Sequence, residues 1–205
     1  MAAIEIETPQ GLARAHLHPA ADAVGALILG HGAAGSVDAP DLVVTTEAAR
    51  GVGFTVALVE QPYLVAGRRS SPRAPRLDEA WIAVAERLRD EELAGLPLVV
   101  GGRSAGARVA CRTASECGAV AVLCLAFPLH PPGRPEKTRQ AELDEVEAPT
   151  LIVQGDRDQF GMPASGPNRR VVTVAGNHSL RKDLDGVADA VRDWLPGAVA
   201  EAARR

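Results

Sequence analysis

The chain has 205 residues, 22 basic against 26 acidic for a formal net charge of −4, with 46% hydrophobic and 23% charged residues. A chain of this length is expected to form one globular domain over residues 1–205, burying roughly 70% of the surface its unfolded form exposes, and its composition excludes a disordered polymer. The longest apolar run, residues 119–127, falls far short of the ~20 residues that cross a bilayer, and an acidic total without aromatic interleaving argues against a nucleic-acid surface.

Residues 4–18 alternate loosely around Gly11 and read as one or two antiparallel edge strands. Short runs rich in Val, Ile and Leu then recur at residues 25–30, 54–59, 97–101, 119–125, 150–154 and 171–174. Continuous apolar runs of this kind are strands buried on both faces. Between them lie apolar residues three or four apart: Leu77, Trp81, Val84 and Leu88 in one segment, Leu184, Val187, Val191 and either Trp194 or Leu195 in the last. Such stripes suit helices packed on a sheet, so the predicted class is α/β, with a mostly parallel central sheet and helices on both faces. Residues 63–76 and 128–135, rich in Pro, Gly, Arg and Ser, read as linkers after strands, where an open parallel sheet binds ligands. Neither is long enough for a cap domain.

The strongest chemical signal is Gly102-Arg103-Ser104-Ala105-Gly106, directly after the 97–101 strand and before a helical stretch. In that context G-x-S-x-G is a sharp strand-to-helix turn that projects the serine hydroxyl above the sheet, with glycines two positions away on either side allowing close approach. The helix amino terminus favours negative charge at the same place. A serine hydroxyl is nearly inert at pH 7 until a base takes its proton, so a histidine and an orienting carboxylate are expected after later strands. The 150–154 strand runs into Asp156 and Asp158, and the 171–174 strand runs into His178. Asp158 is the expected acid, because the chain needs a few residues to turn over the sheet edge; Asp156 is the alternative.

His31-Gly32-Ala33-Ala34-Gly35 follows the 25–30 strand, where the second oxyanion donor must arise. The backbone N–H of Ala33, or failing that Ala34, is expected to join that of Ala105. His31, Gly32, Arg103 and His130 are expected around the substrate; His16 and His18 are expected on the surface. Arg68, Arg69, Arg73 and Arg76 read as a solvated loop. There is no G-x-x-x-x-G-K-[ST] or G-x-G-x-x-G pattern and no zinc-like Cys/His spacing, so neither metal nor cofactor is expected. Cys111, Cys117 and Cys124 cannot all pair, and the first residues show no basic stretch followed by an apolar run, so a cytoplasmic setting is expected.

With these residues in place the sequence resembles the α/β-hydrolase superfamily. Within it the likeness is to a small lidless group that includes testis-expressed hydrolase-like proteins, the hydrolase-like domain of a histone-acetyltransferase complex subunit and, more distantly, dienelactone hydrolases. The segments carrying the resemblance are residues 31–35, 60–63, 101–110, 127–133 and 149–158, spread over residues 31–158. The resemblance implies Ser104 as nucleophile, Asp158 as acid and His178 as base. Dienelactone hydrolases use cysteine where this chain has Ser104, which separates their substrate from this one. The expected activity is hydrolysis of a small ester or thioester; the alternatives are a peptidase or cofactor-free haloperoxidase using the same residues, or a non-catalytic scaffold.

Overall fold

In the computed structural model, which describes residues 3–33 and 35–202, the chain forms one eight-stranded sheet covered by helices on both faces. The strands are β1 (Ala3–Thr8), β2 (Gly11–His18), β3 (Gly25–Gly30), β4 (Phe54–Glu60), β5 (Leu98–Arg103), β6 (Ala121–Leu125), β7 (Thr150–Gly155) and β8 (Arg169–Val174). Their order across the sheet is β1-β2-β4-β3-β5-β6-β7-β8, and the six from β4 to β8 in that row are parallel. The amino-terminal segment is two strands, a hairpin turned at Gly11 (φ +108°) whose second strand pairs antiparallel with β4.

Side chains alternate between the two faces as a strand requires. Ala26 and Ile28 of β3, with Val100 of β5, join Leu77, Trp81 and Leu88 of α3 (Ala74–Asp90) and Val109 of α4 (Ala105–Thr113). Leu27 and Leu29 face the other way, against Leu42 of α1 (Pro40–Gly51) and Val187, Val191 and Leu195 of α6 (Leu184–Ala202). The buried sheet is therefore a partition between two apolar layers, and its parallel strands all end on the side where Gly30, Arg103 and Gly155 stand.

Two expectations from the sequence are corrected. The stretch 63–76 is not wholly linker: Pro62–Val65 forms the single turn α2, and α3 begins at Ala74, each with proline in its first turn, where the missing N–H costs nothing. The last strand begins at Arg169, two residues before its apolar run, the Arg169 guanidinium being bonded to the Ala164 carbonyl and Asp144. The short helix α5 (Gln140–Asp144) bridges β6 to β7 and is tied by Glu142 to Arg108 and Arg112 of α4. All three cysteines are buried and free, and burial pushes the Cys117 thiol up to about 11. Among the described residues no helix is long and apolar enough to cross a membrane.

Candidate active site

Ser104 stands at the junction of β5 and α4 with φ 53° and ψ −109°, a left-handed backbone that side chains other than glycine rarely adopt. The turn is held by its own N–H donating to the Leu125 carbonyl (2.9 Å) and by close packing beneath it. A Cβ on Gly106 would lie 2.5 Å from the Gly30 carbonyl oxygen, and one on Gly102 would lie 2.7 Å from the same atom. Both glycines of the motif are therefore dictated by the approach of α4 to the end of β3.

The hydroxyl of Ser104 lies 2.9 Å from His178 Nε2, and His178 Nδ1 lies 2.8 Å from Asp158 Oδ2. The three residues come from the ends of β5, β7 and β8. Asp158 is fully buried, and its second oxygen accepts the Phe160 N–H (2.8 Å). Gln154, the one amide inside β7, also donates to Asp158 Oδ2 (2.9 Å) and to the Phe127 and Gly161 carbonyls. The Phe160 ring lies against the His178 imidazole, centroids 4.1 Å apart. Asp156 points elsewhere: it is exposed and accepts the Gly176 N–H at 2.7 Å, which holds its carboxyl below the ordinary range.

Ala105 is the first residue of α4, so its N–H belongs to the helix turn that has no internal acceptor. Across from it, Gly32 approaches Ser104: a Cβ placed there would be 3.7 Å from Ser104 Cβ. The next residue, Ala33, is fixed by the Tyr63 hydroxyl, which donates to its carbonyl (2.8 Å), and the Gly35 N–H closes a turn onto the Gly32 carbonyl (3.0 Å). Ala34 lies outside the described residues.

Of the residues expected around the substrate, His31 and Arg103 have side chains bonded to protein partners. The buried His31 ring accepts the Gln61 N–H at Nε2 (3.1 Å), which assigns the proton to Nδ1, donating to the Gly32 carbonyl (2.8 Å). Burial pushes its pKa down, consistent with a neutral ring. Arg103 donates through Nε to the buried Asp41 carboxylate (2.6 Å) and through Nη2 to the His178 carbonyl (3.1 Å). Burial raises the Asp41 carboxyl above its ordinary value, and the Arg103 guanidinium opposes that rise. His130 packs beside the Asp158 turn: its N–H donates to the Phe160 carbonyl (2.9 Å), and its ring occupies the space beside Gly161. Among the described residues no group of three or more His, Cys, Asp or Glu side chains is placed to hold a metal ion.

Asp41, Gln154 and Phe160 are absent from the sequence expectations. Only Gln154 left a trace there, as a polar residue closing an otherwise apolar strand.

A family profile described as alpha/beta hydrolase domain matches residues 23–183. Among solved structures, the chain is similar to a lidless α/β serine hydrolase from Xanthomonas campestris (22% identity, 95% of each chain covered, TM-score 0.78). It is also similar to Est1E from Butyrivibrio proteoclasticus with ferulic acid bound (18% identity, 97% of this chain and 100% of that one, TM-score 0.80). A dienelactone hydrolase from Anabaena variabilis shares the fold as well (18% identity, 96% of each chain, TM-score 0.76). No functionally curated protein matches the sequence. The parallel sheet with its antiparallel amino-terminal hairpin, the serine elbow after β5 and the profile match over most of the length agree on one assignment: the chain belongs to the alpha/beta hydrolase family.

Proposed function

We propose that the protein is a serine hydrolase acting on a small ester or thioester through Ser104, His178 and Asp158. The observation that carries this reading is the unbroken hydrogen-bonded chain from the Ser104 hydroxyl through both imidazole nitrogens to the buried Asp158 carboxylate. His178 takes the Ser104 proton as the hydroxyl oxygen attacks the acyl carbon, an effect worth typically 10²–10⁴-fold. Asp158 holds the imidazole tautomer and stabilises the imidazolium, and is itself aimed by Gln154 and the Phe160 N–H. The N–H groups of Ala105 and Ala33 bind the oxyanion. His178 returns the proton to the leaving oxygen or sulfur, and a water activated by the same ring releases the acid. Among the described residues no cap covers the strand ends, which suits small acyl groups or acyl groups presented on a surface.

The test is labelling with a fluorophosphonate probe, which needs an activated serine and no knowledge of substrate. Wild-type protein labels, Ser104→Ala does not, and His178→Ala labels far more slowly. A folded wild type that fails to label leaves a non-catalytic scaffold as the reading.

A further inference from the structure

On the β3–β4 side of Ser104 the structure holds a cavity of about 10 Å³, whose lining includes Gly30, Gln61, Tyr63, Trp81, Ala105 and Ser71, the Ser71 hydroxyl donating to the Pro72 carbonyl (3.4 Å). That is room for a single water-sized group. Two of its lining side chains are almost wholly enclosed, Trp81 at 1% exposure and Gln61 at 6%, and each carries a buried polar atom without a partner: the Trp81 indole Nε1 and the Gln61 Oε1. The orientation of the Gln61 amide is fixed from its other end, since Nε2 donates to the Leu77 carbonyl (3.2 Å) and the backbone N–H to His31 (3.1 Å). Trp81 is equally constrained, its ring lying 3.1 Å from where a Cβ on Gly30 would stand.

Buried polar atoms are almost always paired, and an unpaired one is costly. Here the two side chains that carry an unmet donor and an unmet acceptor line one small space, and one hydroxyl bonded to both accepts from the indole N–H and donates to the amide oxygen. A methyl group answers neither. A carboxylate would meet the amide oxygen with like charge, and an ammonium would meet the indole N–H.

The sheet order says which part of a substrate reaches this cavity. Asp158 and His178 arrive from β7 and β8, on one side of β5, whereas Gly30, Gln61 and Tyr63 of the cavity wall arrive from β3 and β4 on the other. The leaving group must face His178 to receive its proton, so the acyl group points toward the cavity, past the Ala105 N–H. We propose that this cavity is a hydroxyl subsite and that the substrates are esters or thioesters of short hydroxy acids, cleaved by water to the free hydroxy acid and the alcohol or thiol. This rests on the serine-hydrolase reading above.

The experiment compares isosteric acyl pairs on a common ethanethiol leaving group: glycolyl against propionyl, and 3-hydroxypropionyl against butyryl, each rate divided by that of hydroxide-catalysed hydrolysis. The expected result is a corrected kcat/KM ratio of about tenfold or more in favour of the hydroxyacyl member of at least one pair, because a site built to bond a hydroxyl rejects the analogue lacking it. In Trp81→Phe that ratio falls toward one; if the variant fails to fold, the wild-type ratio stands as the test. Fluorophosphonate labelling with ratios near one in both pairs overturns the subsite alone, the cavity then holding a resident water. Absence of labelling and of turnover overturns the hydrolase reading and the subsite with it.

Discussion

Arg103 reaches behind the nucleophile it precedes and donates a hydrogen bond to the backbone carbonyl of His178, 75 positions further along the chain. The same guanidinium is paired with Asp41, and its Nη1 lies 2.9 Å from where a Cβ on Gly32 would be. One side chain thus links the base loop, the oxyanion loop and the start of α1.

Arg103→Met is expected to lower kcat by about tenfold or more with little change in KM, since small misplacements of reacting groups are amplified in rate. It also leaves the Asp41 carboxylate buried and unpaired, at a cost of about 3–5 kcal/mol in stability. Arg103→Lys restores the charge without the fork, so stability recovers more than kcat. Urea unfolding and steady-state kinetics on the same preparations check both; equal recovery of the two quantities would refute a positioning role.

Asp158→Asn is expected to cut kcat by about 10²–10⁴-fold, the penalty for losing the carboxylate that sets the imidazole tautomer. Asp156→Asn, whose carboxylate is exposed and occupied with the Gly176 N–H, stays within about threefold of wild type. Initial rates of the two variants, measured side by side, identify the acid.

Gly106→Ala forces a methyl group to within 2.5 Å of the Gly30 carbonyl oxygen, backbone against backbone. Overpacking of this kind typically costs about 1–3 kcal/mol, read as a lowered urea midpoint. Because α4 must shift, the Ala105 N–H moves with it and turnover falls as well. An unchanged midpoint would show that the elbow has more room than the structure gives it.

His31 is held neutral, with Nε2 accepting and Nδ1 donating. Its folded-state pKa is depressed by burial, so as pH falls through the ordinary histidine range the unfolded chain takes up a proton that the folded one does not. Stability is therefore full above about pH 7 and declines below that range. His31→Gln, lacking the titration, is expected to show a flatter dependence of Tm between pH 8 and pH 5 than wild type. Parallel slopes would count against this role.

The elbow was legible in the sequence because its steric demand is written in the glycines themselves, at fixed offsets from Ser104 and between an apolar run and a helical one. The order of Ser104, Asp158 and His178 was legible for a related reason, each lying just past a run that could only be a buried strand. What surrounds them was not. Asp41 has no marking in the sequence, and only the crossing of α1 over the end of β5 brings it to Arg103. Phe160 is an isolated aromatic in a loop until the turn at Gly161 lays it on His178. His31 and Arg103 carry the side-chain chemistry of substrate ligands, and only the tertiary packing reveals that backbone and carboxylate groups already hold them.

The sheet order also sets a timetable. Ser104 completes its strand and turn about halfway through the chain, whereas its acid and base follow β7 and β8, the last two strands to leave the ribosome. A nascent chain that ends before residue 178 holds a serine with no base, and one that ends before residue 158 lacks the acid as well. Any hydrolytic power therefore waits until residue 178 has been added, and a product terminated before it is chemically silent.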